Sequence, residues 1–202
     1  MTTFPVPNPA SLNKFVLSIT TNHAGEENQE ILRRKIYDVT NTGRTFWYYT
    51  SANARPDVIQ AFVNDILTKN NEPWCVFVAP SNDPPVKAKT HPAASEFSLA
   101  MPSNTTIWQP LPLGISPVTG KMDLASHPAC ALVLDRLVMV PNAQVNLSEF
   151  VQPMRPSQPL KFNQSSATLC AERTLTPNAR SVMRNIRLIG RLVRPFAVWL
   201  RE

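Results

Sequence analysis

Residues 176–202 read TPNARSVMRNIRLIGRLVRPFAVWLRE. Six of these residues are arginine, none is lysine, and the single acid is Glu202. Arg180, Arg184, Arg187, Arg191 and Arg194 are spaced four, three, four and three apart. At about 100° per residue that spacing keeps all five within roughly 80° of arc on one helix face. Val182, Ile186, Ile189 and Val193 repeat on the opposite face. Thr176-Pro177 reads as an N-cap followed by proline at the first helical position, and Pro195 as a stop or kink. The spacing therefore predicts an amphipathic helix over 177–194 with an unbroken arginine stripe.

The charge of the chain belongs to this segment. The whole sequence holds 20 Lys+Arg and 14 Asp+Glu, a net +6. Residues 176–202 hold 6 of those bases and 1 acid, +5, which leaves 14 and 13, +1, for residues 1–175. A solvated helix face mixes signs and uses Lys and Glu. This one is all arginine, and five like charges over four turns repel one another unless an anion neutralises them. Arginine suits bidentate phosphate contact and stacking on bases. The expected partner is a nucleic acid, with RNA the leading expectation. Arg180, Arg184, Arg187, Arg191, Arg194 and Arg201 are the candidate contacts, and Arg33, Arg34 and Lys35 a weaker cluster. Phe196, Val198, Trp199 and Leu200 after Pro195 support a second reading, an interfacial helix on an anionic membrane.

Upstream, the chain reads as a β-rich body. Charged residues are 17% of it, against about 25% in an average domain. With 20 prolines and 5 glycines, its connections are expected to be stiff rather than Gly/Ser-flexible. Lys14–Thr20, Arg33–Val39, Arg44–Thr50, Trp74–Ala79, Glu96–Met101, Thr105–Gln109, Ala131–Val140 and Ala167–Leu175 read as strands. Asn41-Thr42-Gly43 reads as a hairpin turn between the second and third of these, and Asp135-Arg136 as a bulge. Val58, Ile59, Phe62, Val63, Ile66 and Leu67 make one apolar stripe over Pro56–Lys69, a helix opened by Pro56 and ended by Asn70-Asn71. Strand 44–50, helix 56–69 and strand 74–79 suggest a right-handed βαβ unit. Residues 141–159 read as irregular. The predicted class is α+β, β-rich, with short and mainly antiparallel strands. The expected organisation is an extended proline-rich arm (1–12), a core (13–175) and a basic helical appendage (176–202).

Chemistry is sparsely signalled. There is no G-x-x-x-x-G-K-[ST], G-x-G-x-x-G, G-x-S-x-G or H-E-x-x-H. His127-Pro-Ala-Cys130 is half of a zinc spacing that Cys170 or His91 would have to complete, and no metal, cofactor or catalytic residue is expected. Three widely spaced cysteines, Cys75, Cys130 and Cys170, argue for a reducing compartment rather than a disulfide framework. MTTFPVPNPA lacks the basic and apolar regions of a signal peptide, and no apolar run reaches transmembrane length. Of Phe46-Trp47-Tyr48-Tyr49, alternate members are expected in the core and the others available to stack on bases.

No motif identifies a family. The composition resembles that of small viral coat and nucleocapsid proteins, which combine a β-rich domain, Pro/Asn/Ser/Thr-rich connections, reduced cysteines and one basic segment. The resemblance implies a non-enzymatic structural protein that neutralises RNA phosphates and self-associates through its β-rich body, in the cytoplasm or a virion, neither secreted nor membrane-spanning. A regulatory RNA binder that does not assemble is the alternative.

Overall fold

The structure is a computed structural model that describes residues 5–19, 28–50, 54–78, 116–118, 129–140, 142–153, 155–160, 167–177 and 181–201. The expected strands at 96–101 and 105–109 lie outside the described residues. The chain is a mixed α/β protein dominated by one large sheet, with two α-helices among the described residues. Its strands are β1 (Lys14–Ile19), β2 (Thr45–Thr50), β3 (Trp74–Val78), β4 (Ser116–Val118), β5 (Ala129–Met139), β6 (Gln144–Asn146), β7 (Phe150–Gln152), β8 (Arg155–Pro159), β9 (Ala167–Arg173) and β10 (Met183–Arg201). The helices are α1 (Asn28–Thr42) and α2 (Pro56–Thr68). Eight strands run in the order β2-β5-β10-β3-β1-β9-β7-β8, and β4 and β6 also pair with β10.

The arginine-rich segment is a strand, not a helix. β10 pairs with β5 on one side and with β3 on the other, both antiparallel. At about 3.3 Å per residue its 19 residues span some 60 Å. A helix would set the arginines into mutual repulsion, and Ile186, Ile189, Val193 and Gly190 all lower helix propensity. The β-branched and aromatic residues favour a pleated, buried surface instead. The helical spacing arises from breaks in register. Pairing with β3 shifts between Ile186 and Leu188, and pairing with β5 shifts again between Arg191 and Leu192 and between Leu192 and Ala197. Where the extra residues lie on β10, at Arg187 and between Leu192 and Ala197, the following side chains move relative to a strict two-residue alternation. Ile186 and Ile189 thus pack in one cluster, with Val182 against it, while Leu188 and Leu192 pack under α2. A strand with such breaks reproduces the three-and-four spacing of a helix.

Alternation along the neighbouring strands divides the core in the same way. Val16 on β1, Cys75 and Phe77 on β3, and Leu132 and Leu134 on β5 face α2, whose Ile59, Phe62, Val63 and Ile66 cover them. Phe15, Leu17 and Ile19, with Trp74, Val76 and Val78, fill the other face together with Val145, Leu147, Phe150 and Leu160. Strands buried on both faces read as continuous apolar runs, as WCVFV does on β3. Gly190 belongs to this packing. A Cβ there would lie 2.9 Å from Leu137 Cδ2 and 3.3 Å from the Arg136 carbonyl oxygen, so a larger residue would push Leu137 aside and press on the β5 backbone.

Helix α2 is as expected. Pro56 occupies its first turn with Asp57, and Asn70, in the left-handed region at φ 56°, closes it, with Asn71 N–H donating to the Ile66 carbonyl at 3.3 Å. Helix α1 corrects the expected strand at 33–39. Leu32, Ile36 and Val39 follow helical spacing, and Asn41-Thr42-Gly43 is its C-terminus rather than a hairpin turn. Gly43, at φ 77°, donates its N–H to the Val39 carbonyl at 2.9 Å, a helix-ending geometry that suits glycine. The βαβ expectation also fails. β2 runs antiparallel to β5, β5 to β10 and β10 to β3, so β2 and β3 are opposed and separated by two strands. The parallel neighbours are β1 and β3. Within residues 141–159, expected to be irregular, lie β6, β7 and β8.

Candidate nucleic-acid interface

β10 distributes the candidate arginines along a central strand rather than along one stripe. Arg180 lies outside the described residues. Arg184 sits opposite Val145 of β6 and donates from Nη1 to the Met183 carbonyl at 3.0 Å. Arg187 is half-buried at the bulge between Ile186 and Leu188. Arg194 is exposed, and its guanidinium lies 5.4 Å from the Phe196 ring centre, within cation–π range. Arg201 pairs through its backbone with Ser116 of β4; its side chain lies outside the description.

Arg191 is engaged within the fold. Its Nε and Nη2 donate to the two carboxylate oxygens of Asp135 at 2.9 and 3.0 Å, and its Nη1 donates to Glu72 at 3.1 Å. The Asp135 hydrogen bonds, reinforced by Glu72, raise its pKa further above the ordinary arginine value despite partial burial. This bidentate fork is a strong form of ion pairing. It fastens the β5 bulge, where Leu134 and Arg136 pair with β10 and Asp135 is skipped, to the loop before β3. The signal for it was a lone acid in the apolar run ALVLDRLVM, since a charge drawn into a core needs a partner. The identity of that partner, 56 residues away, was not readable.

The weaker basic cluster is split. Arg33 and Arg34 lie in α1 with side chains outside the description, whereas Lys35 is only 8% exposed, its Nζ 3.9 Å from Asp38. Asp38 also accepts from the Thr45 hydroxyl at 3.0 Å, tying α1 to β2. Of the aromatic run, Phe46 and Tyr49 are buried in different clusters, Trp47 is half-buried 4.3 Å from the Phe77 ring, and Tyr48 is 47% exposed. The interfacial-helix reading loses its basis, because Phe196, Val198, Trp199 and Leu200 are buried side chains of β10. No helix among the described residues is long and apolar enough to cross a membrane.

Lys14 joins β1 to α2 and β9 through Asp65 and Glu172, each at 2.8 Å. Burial lowers its pKa, but the two hydrogen bonds outweigh that and the net shift is upward. Of the half zinc spacing, His91 and His127 lie outside the described residues, and Cys130 and Cys170 are buried under α2. All three cysteines are buried thiols outside any disulfide. Burial pushes the Cys130 and Cys170 thiols up to about 12 and Cys75 well above its ordinary value. The thiolate is the reactive form. The native chain at pH 8 is therefore expected to leave all three thiols unlabelled by a thiol reagent, and denaturant to release three equivalents. Rapid labelling of the native protein would contradict this packing.

None of the protein-family models, curated proteins or solved structures compared with this chain matches it.

Proposed function

We propose that the chain is a non-enzymatic structural RNA-binding protein, coat-like in character, that self-associates through its β-rich body. The observation that carries the reading is the concentration of charge: 6 arginines and 1 acid in residues 176–202. The strand geometry narrows the contact set. Arg191 is committed to Asp135 and Glu72, so the phosphate contacts are Arg180, Arg184, Arg187, Arg194 and Arg201. Contacts of this kind displace counterions, so binding is steep in salt and nearly independent of sequence.

The test compares the full chain with a variant in which Arg180, Arg184, Arg194 and Arg201 become Gln. Each phosphate contact to a single strand contributes about −0.7 to the slope of log K against log salt. The variant is expected to lose roughly 3 from that slope and to keep its fold. Arg191→Gln is expected to leave the slope unchanged while lowering stability. A full chain that does not bind RNA, or a variant with an unchanged slope, refutes the reading.

A further inference from the structure

Beyond Leu192, β10 bows away from β5. Leu192 pairs with Leu134 and Ala197 with Leu132, so Val193, Arg194, Pro195 and Phe196 stand against Val133 alone. Both feet of this excursion are held. The Leu192 N–H donates to the Pro73 carbonyl at 2.9 Å, and Gln60 of α2 donates from Nε2 to the Ala197 carbonyl at 2.9 Å. Its side chains are anchored on opposite faces of the sheet. Phe196 is buried under α2, and Val193 packs against the cluster of Phe46 and Val133 on the other face. Phe196 has φ 69°, the left-handed region that a bulky aromatic residue rarely adopts. Between these anchors Arg194 is exposed.

Bulges re-aim side chains, and disfavoured backbone concentrates where ligands are held. At the bulge on β5 the re-aimed group serves the fold, because Asp135 grips Arg191. At the excursion on β10 the re-aimed group is a guanidinium. Among the described residues it meets a ring, 5.4 Å from the Phe196 centre, rather than a carboxylate. An aromatic ring restrains a guanidinium without consuming its N–H donors, which leaves the planar fork for an oxyanion.

We propose that Val193–Phe196 is the anchoring phosphate site of this chain, with Arg194 the bidentate ligand of one backbone phosphate of RNA. The inference rests on the RNA reading above and ranks its contacts. With the backbone fixed at both feet, binding orders one side chain rather than a loop, so less of the interaction is lost to ordering. Arg184, by contrast, donates from Nη1 to the Met183 carbonyl at 3.0 Å, and one arm of its fork is shared with its own backbone.

The test measures binding of a short single-stranded oligouridylate to the full chain over a range of salt concentrations. Lysine keeps the charge of arginine and loses its fork. Arg194→Lys is therefore expected to weaken binding at least about fivefold, the cost of one charge-assisted hydrogen bond, with the salt slope unchanged. Arg194→Gln is expected to lower that slope by about 0.7 as well. Arg184→Lys should lose less affinity than Arg194→Lys. Arg55→Lys, at an exposed position outside the contact set, should bind as the native chain does. Arg194 is exposed, so its variants are expected to keep the native melting temperature, which separates lost contact from lost folding. A native chain that does not bind the oligonucleotide overturns this proposal and the RNA reading together. In a chain that binds, an Arg194→Lys variant as tight as native, or one no weaker than Arg184→Lys, overturns the anchoring site alone.

Discussion

A chain ending at Leu175 is expected not to fold. Removing residues 176–202 would delete β10, the strand that joins β3 to β5. Ile186, Leu188, Ile189, Leu192, Phe196, Val198, Trp199 and Leu200 are all buried there. Side chains of this size contribute about 1.5–3 kcal/mol each when buried, whereas a whole domain is stable by about 5–15 kcal/mol. The loss exceeds the margin even before the β3 and β5 backbones lose their shared ladder. Circular dichroism of the truncated chain should show neither sheet signal nor a cooperative melt. A folded product with a sharp transition would mean that residues 176–202 are an appendage after all. This also decides how RNA binding must be tested. Lost binding after truncation would report lost folding, so only point substitutions at arginine can assign the site.

The parts of the fold that were legible in the sequence are those where one local pattern dominates. WCVFV of β3 and KFVLSI of β1 are apolar because both faces are covered. The stripe of α2 is unbroken, and Asp135 announced its bulge as the one acid of β5. The misread parts are those where two patterns coincide or none has room to develop. In β10, breaks near Arg187 and Leu192 turned a strand's alternation into a helix's spacing, and with the helix went the arginine stripe. In α1, Ile36, Tyr37 and Val39 crowd three bulky residues into a strand-length run, which masked the longer helical repeat. β6 and β7 have three residues each, too few to show a period. The candidate site was legible as composition and not as geometry. The count of arginines could be read directly, but the engagement of Arg191 with Asp135 depends on a long-range pairing that no local pattern encodes.

Phe77→Ala is expected to be the most damaging single substitution on the α2 side of the sheet. Phe77 is 0% exposed. It stands opposite Ser18 of β1 and Leu188 of β10, with its ring 4.3 Å from that of Trp47. The strands on both sides are fixed by their ladders and cannot move inward to close the space. α2 above is anchored at one end by the Lys14–Asp65 pair. A site that cannot collapse keeps most of the cavity, and a buried Phe→Ala change then costs about 3–5 kcal/mol. Urea denaturation should show that loss as a lower midpoint with little change in slope. Tyr37→Ala on α1, at a residue 64% exposed, is expected to stay within about 0.5 kcal/mol of the native chain. If Phe77→Ala cost under about 1 kcal/mol, far below the cost of an unrelaxed cavity, the packing of α2 on β3 would be loose. The stability of the chain would then reside on the opposite face, around Phe15, Phe150 and Trp74.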